Sequence, residues 1–263
     1  MMLNKEASRF SALREELVKW MAEYLEHSGK EGFVLGMSGG VDSSVLALLA
    51  RDAAKCMEKS FIALIMPINN DYYDEFSAKQ ICEQFGIDYR VIDLKGVYDL
   101  WLDVLPDASD RPVVYTNLKA RSREAALYYF ANHSDLLVLG TVNKGELSIG
   151  YFPKNASAGD LLPLASLLKR EVRELGRMYG VNEHIVTAKA SGCIWAKTAE
   201  QEWEFSEDDL DQMASALSEA GQEGVLRIEG IHADIKEKFL KMHRESAHKR
   251  VFYPLFLCDQ HVK

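Results

Sequence analysis

Phe10, Leu13, Leu17, Trp20, Met21, Tyr24 and Leu25 recur at intervals of three and four, the spacing that lines apolar side chains along one face of a helix. The pattern predicts a long amphipathic helix ending near Ser28-Gly29, where a glycine can take the left-handed turn that closes helices. Its apolar face serves either the core or a subunit contact, and core is the simpler use. The period then changes. Strand-length apolar runs at 33–38, 61–66, 89–94 and 136–139 are separated by helical stretches after Asp42, at 74–85, and from Thr116-Asn117 to about Asn132. Strands alternating with helices of this length predict a doubly wound parallel sheet covered on both faces. In such sheets ligands bind beyond the carboxyl ends of the strands, near the point where strand order reverses. After about residue 181 the sheet pattern stops, leaving a loop (188–204) and two helices, roughly 206–220 and 231–246. The expected architecture is one α/β unit, its core at about 30–180, with a C-terminal helical appendage running to 263.

Composition narrows the function classes. With 48% apolar and 27% charged residues, a chain of 263 can build a sizeable core. Its formal charge of -9, from 31 basic and 40 acidic residues, argues against a general nucleic-acid surface and favours small anions in a local basic pocket. The apolar runs are too short for a membrane span, and the N-terminus lacks the pattern of a signal peptide, so a cytosolic protein is expected. Cys56, Cys82, Cys193 and Cys258 form no C-x-x-C pair, which predicts reduced packing residues rather than a zinc or iron–sulfur site.

The chemistry concentrates where the first strand ends. Gly36-Met37-Ser38-Gly39-Gly40-Val41-Asp42-Ser43 reads as a tight turn that opens a helix, with backbone donors and the helix's positive end aimed at an anion. No lysine follows the glycines, so this is not the loop that grips β- and γ-phosphates. Asp42 is placed for a divalent cation beside the phosphate. A second strand end carries Gly140-Thr141-Val142-Asn143-Lys144-Gly145-Glu146, and Glu146 is a candidate to join Asp42 on a magnesium ion. Lys154 and Lys169 are candidates for phosphate charge, although each alone reads as an ordinary surface lysine. Lys119, Arg121 and Arg123 fall on what the pattern makes the first turns of a helix, where they oppose its dipole; an anion site and a solvated face with Glu124 explain them equally well. His248-Lys249-Arg250 reads as a solvated basic end or as a tail folded over a pocket.

Together these segments carry a resemblance. The Ser-Gly-Gly-x-Asp-Ser turn resembles the pyrophosphate loop of the ATP pyrophosphatase superfamily, an adenine nucleotide α-hydrolase-like fold. Adding Asn-x-x-Ala-Arg-x-Arg, Gly-Thr-x-Asn-Lys-x-Glu, Gly-Tyr-Phe-x-Lys, Asp-x-x-Pro-Leu, the lysine before Arg170-Glu171-Val172 and the final His-Lys-Arg, the chain is similar to the ammonia-dependent NAD synthetases throughout. The resemblance implies a ligase with ATP as co-substrate and Mg2+ held by Asp42 and Glu146. ATP would be contacted by Gly36, Met37, Ser38, Gly39, Gly40, Val41, Asp42, Ser43, Thr141, Lys169 and Ser191. It assigns deamido-NAD to Arg121, Lys154, Asp160, His248 and Lys249, and the central chemistry to Asp42, Glu146 and Lys169. The implied reaction adenylates the nicotinate carboxylate with loss of pyrophosphate, after which ammonia displaces AMP. A homodimer is implied, without a glutaminase domain. Two loops depart from the family pattern, at 153–159 and 190–200, each losing an Asp. They leave open an amide ligase for another carboxylic acid, or a nucleotide-binding relative without turnover.

Overall fold

A computed structural model describes residues 2–69, 72–105, 108–154, 159–189 and 198–251, without the side chains of 2–7, 72 and 73. The chain begins with α1 (Met2–Ser28), whose predicted face is core: Met21 and Leu25 are fully buried, and only Trp20 and Tyr24 of that set face solvent. It continues through β1 (Gly32–Gly36), α2 (Val41–Cys56), β2 (Ser60–Ile65), α3 (Tyr72–Phe85) and β3 (Tyr89–Val91). Helices α4 (Lys95–Val104) and α5 (Pro112–Ser134) lead to β4 (Leu136–Leu139). Beyond it lie α6 (Lys144–Ile149), α7 (Lys169–Tyr179), α8 (Glu183–Thr187), α9 (Ala199–Trp203), α10 (Glu207–Arg227) and α11 (Ala233–Glu245), then a 3-10 turn at Ala247–Lys249.

The four strands are parallel in the order β3-β2-β1-β4. Order therefore reverses between β1 and β4, where a doubly wound sheet opens its crevice. Period-two alternation divides the core. Phe33 and Leu35 of β1 face α1, α2 and α7, while Val34 faces α4 and α5. Burying each such side chain contributes roughly 1.5–3 kcal/mol, which pins the register at the switch point. The C-terminal helices add a separate apolar cluster around Trp203, Met213 and Phe239, which also takes in Ile149 of α6.

Several elements differ from expectation. β3 stops at Val91 because the chain turns at Asp93, whose carboxylate accepts the Lys95 N–H at 2.8 Å and starts α4. Helix α4 has no counterpart in the predicted pattern: of its apolar residues only Tyr98 is buried, while Val97, Leu100, Trp101 and Val104 face outward. Helix α5 starts at Pro112, so Lys119 lies two turns inside it and the dipole conflict disappears. Of the cysteines, Cys82 is buried and Cys56 exposed, both reduced; Cys193 and Cys258 fall outside the described residues. Among the described residues no helix is long and apolar enough to cross a membrane.

Candidate functional site

Two turns leave the same end of the sheet side by side, because Leu35 of β1 is level with Leu139 of β4. The first is held from within. Met37 N–H donates to the Leu64 carbonyl at 2.9 Å, and the Ser43 hydroxyl donates to the Gly40 carbonyl at 3.0 Å. Ser38 reaches Ser43 Oγ with its N–H at 3.3 Å and its hydroxyl at 3.0 Å. Gly40 occupies the N-cap of α2 and supplies no side-chain cap, so the leading N–H groups and the positive end of the helix face the turn.

The two glycines serve different purposes. Gly39 has φ +85° and lies so close to α3 that a Cβ there would sit 2.4 Å from the Asp74 carbonyl oxygen. Gly40 has φ -83°, and its Cβ would meet only Ser38 Oγ at an ordinary 3.6 Å. The fold needs Gly39; the open space at Gly40 suits an approaching phosphate. Gly39→Ala should therefore lower stability by about 1–3 kcal/mol, read from thermal unfolding. Gly40→Ser should keep stability within about 1 kcal/mol, since serine caps helices well, yet raise the apparent KM for ATP at least roughly tenfold. Unaltered ATP kinetics in a folded Gly40→Ser protein would show that no phosphate approaches there.

The second turn brings the carboxylates together. Asn143 caps α6, its Oδ1 accepting the Glu146 N–H at 3.0 Å, while Glu146 Oε2 accepts the Asn143 N–H at 3.1 Å. This reciprocal box aims Glu146 back at the strand end. Asn143 Nδ2 also donates to Asp42 Oδ1 at 3.3 Å, joining the two turns, and Asp42 Oδ2 receives the ammonium of Lys169. Lys169 is 6% exposed, not the surface lysine its lone appearance in the sequence suggests. Burial alone would lower its pKa; the Asp42, Glu146 and Glu207 carboxylates outweigh that and push it up to about 12. Burial, then the charge of Asp42, pushes Glu146 up to about 8 against the pull of Lys169. The group thus holds an ion pair beside a carboxyl whose protonated form burial favours. Two oxygen donors beside an anion cradle fit Mg2+, which completes its shell from phosphate and water; among the described residues no group of three or more His, Cys, Asp or Glu forms a closed metal cage.

The remaining predicted residues separate into groups. Thr141 is half-buried just past β4. Arg121 donates to the Lys154 carbonyl at 3.3 Å, bringing those two together. The Lys249 ammonium donates to the Gly150 and Phe152 carbonyls, each at 2.7 Å, and Arg250 donates to the Leu147, Ser148 and His243 carbonyls. The basic end is thus docked on α6 and the loop after it, rather than solvated, with His248 exposed beside it. Asp160 is held at the edge of β4, accepting the Val138 N–H at 2.7 Å and the Tyr128 hydroxyl at 3.0 Å, and makes no hydrogen bond to the Asp42 group. Ser191 lies outside the described residues, as do 155–158 and 190–197 of the two altered loops.

The roles of three residues emerge only from the structure. Asn143 was detectable, since Asn-x-x-Glu is a capping-box spacing. Arg123 donates from Nε to the Met66 carbonyl at 2.9 Å, just past β2, and burial lowers its pKa. Asp211 of α10 is 2% exposed and bonds the backbone of Lys169 and Arg170. No local signal marks Asp211; Arg123 belongs to the Asn-x-x-Ala-Arg-x-Arg segment, but nothing in that segment marks the carbonyl it meets.

A family model described as NAD synthase matches residues 13–252. An NH(3)-dependent NAD(+) synthetase of Syntrophomonas wolfei is 37% identical over 84% of this chain and 90% of its own. Among solved structures, NMN synthetase from Francisella tularensis is 28% identical with a TM-score of 0.82, over 94% of this chain and 99% of its own. The NH3-dependent NAD synthetase of Campylobacter jejuni, 24% identical, shares the fold at a TM-score of 0.78 over 94% of this chain and 99% of its own.

Proposed function

The chain belongs to the NAD synthase family, and from that we propose that it is a cytosolic ligase that converts deamido-NAD to NAD with ammonia and ATP. One observation carries the reading: Asp42, Glu146 and Lys169 converge on the uncapped end of α2 at the switch point of the sheet. A carboxylate resists attack by ammonia, so it is first activated as its adenylate, with pyrophosphate as the leaving group. The α2 N–H groups and the Lys169 ammonium stabilise charge that develops on that pyrophosphate. Bound Mg2+, held by Asp42 and Glu146, would supply Lewis-acid stabilisation of the same phosphate oxygens. The Asn143 bridge keeps Asp42 turned toward Lys169, so the cluster is assembled before substrate arrives. No covalent nucleophile is required; ammonia then attacks the adenylated carbonyl and AMP departs. Arg121, Lys154, Asp160, His248 and Lys249 are proposed for the deamido-NAD side, and Thr141 and Ser191 for ATP.

A second acceptor is favoured by the likeness to the Francisella NMN synthetase and by the altered loop at 153–159: nicotinic acid mononucleotide, which presents the same carboxylate. Pyrophosphate release with ATP, Mg2+, ammonia and each acid separates the readings. Release with deamido-NAD at a higher kcat/KM supports the first, release with the mononucleotide alone replaces it with the second, and release with neither leaves an amide ligase for another carboxylic acid or a nucleotide-binding relative.

Assembly as a homodimer is proposed through the outward apolar residues of α4 and the start of α5, including Leu100, Trp101, Val104 and Val113. Light scattering should give twice the chain mass, falling to one chain in Leu100→Asp/Val104→Asp; a monomeric wild-type protein would remove the proposal.

The raised pKa of Glu146 sets a pH dependence. A carboxyl whose pKa rises from 4.5 to about 8 on folding stabilises the fold below its unfolded value and loses that contribution as pH rises through 8. Without metal, the Tm advantage of wild type over Glu146→Gln should shrink from pH 4.5 to 8.5, by about 2–4 °C for each kcal/mol lost. Adding Mg2+ and ATP at pH 7 should release a proton from wild type that Glu146→Gln does not release. A constant Tm difference would show that folding leaves the Glu146 carboxyl at its ordinary pKa.

A further inference from the structure

Helix α7 begins at Lys169, and its N-cap residue is Leu168, whose side chain has no oxygen with which to cap. The first turn finds its partner on another element. Asp211 of α10 accepts the Lys169 N–H with Oδ1 and the Arg170 N–H with Oδ2, both at 2.9 Å. The next N–H groups, of Glu171 and Val172, turn back to the Leu168 carbonyl at 2.9 and 3.1 Å. One carboxylate, 2% exposed, thus closes the front of α7 from 42 positions away.

We infer that Asp211 is the positioning residue for Lys169: it fixes the main chain from which the ammonium is delivered to Asp42. Lys169 is anchored twice, at its backbone by Asp211 and at its ammonium by Asp42. A flexible side chain held at both ends cannot retreat when the Asp42 carboxylate takes on a second partner, so its charge stays where phosphate oxygens arrive. A carboxylate is also the right cap electrostatically, because it places negative charge at the positive end of α7. Burial pushes the Asp211 carboxyl up, and the two backbone N–H groups pull it back, as expected for an anion retained by its cap. Through this contact the C-terminal helices help to shape the anion site of the sheet, a role separate from their own apolar cluster.

The inference rests on the reading of Lys169 as a phosphate contact, and two readouts keep the failures apart. One is kcat for pyrophosphate release. The other is the rate at which Lys169 is acylated by a water-soluble amine reagent in the substrate-free protein, followed by peptide mass spectrometry. Asp211→Ala should lower kcat about 10- to 100-fold and raise Lys169 labelling at least about tenfold, at a temperature where the variant stays folded. Asp211→Asn keeps one acceptor and turns an NH2 toward the other N–H, so it should fall between Ala and wild type in both measurements. Leu240→Ala, in the C-terminal cluster, is the control for lost stability and should move neither. Wild-type kcat and labelling in Asp211→Ala would overturn the inference, leaving a cap that only stabilises. Faster labelling with unchanged kcat would instead remove Lys169 from the chemistry. If Asp211→Ala does not fold, Asp211→Asn decides, and wild-type values of both measurements in it overturn the inference.

Discussion

Asp42→Asn should reduce pyrophosphate release by about a thousandfold, close to 4 kcal/mol of transition-state stabilisation at 1.36 kcal/mol per factor of ten. The substitution preserves shape but removes the charge that pairs with Lys169 and that Mg2+ would share with Glu146. It also leaves Lys169, with a side chain 7% exposed, as a buried ammonium without its closest carboxylate. Such a loss costs about 3–5 kcal/mol of stability, so the measurement belongs well below the new Tm. Single-turnover assays with ATP, Mg2+ and deamido-NAD read the chemical step directly. A folded Asp42→Asn protein within tenfold of wild type would show that neither metal nor phosphate depends on this carboxylate.

Lys169→Met should be nearly as severe, with kcat lower by about two to three orders of magnitude. Methionine fills much of the same volume, so the apolar stem is retained while the charge is lost. Lys169→Arg should not restore activity, because a planar guanidinium does not fit a slot shaped for the ammonium of a lysine that is 6% exposed. The double variant Asp42→Asn/Lys169→Met separates two effects. Neither partner is left as an unpaired buried charge, so stability should recover relative to either single variant, whereas pyrophosphate release should stay as low as in Asp42→Asn. Recovery of activity along with stability would mean that the pair serves the fold alone.

Legibility followed the range of the forces involved. Helix α1 and strands β1, β2 and β4 were readable because burial imposes a period on neighbouring residues. Helix α4 was not, since most of its apolar residues face outward and give no inward stripe to recognise. Helix α5 starts at Pro112, a position proline suits, rather than at Thr116, which puts Lys119, Arg121 and Arg123 inside the helix and removes the conflict with its dipole. Lys169 looked unremarkable because a lysine's burial is set by what surrounds it. Asp42, 127 positions away in the chain, is what makes that burial tolerable.

Three features follow from the order of residues along the chain: the anion-binding turn, the alternation of strand and helix, and the series of segments that marks the family. Each depends on local geometry: two adjacent glycines, a periodicity, a strand that ends where a helix begins. The tertiary structure alone decided which charges share a solvent-poor space. Placing β4 against β1 sets Glu146 and Asn143 beside Asp42, and packing α10 on α7 delivers Asp211 to the backbone of Lys169. The physical reason is the dielectric environment. A carboxyl held near pH 8 and an ammonium held near 12 are properties of a desolvated cluster, and no segment of this chain possesses them before the segments meet.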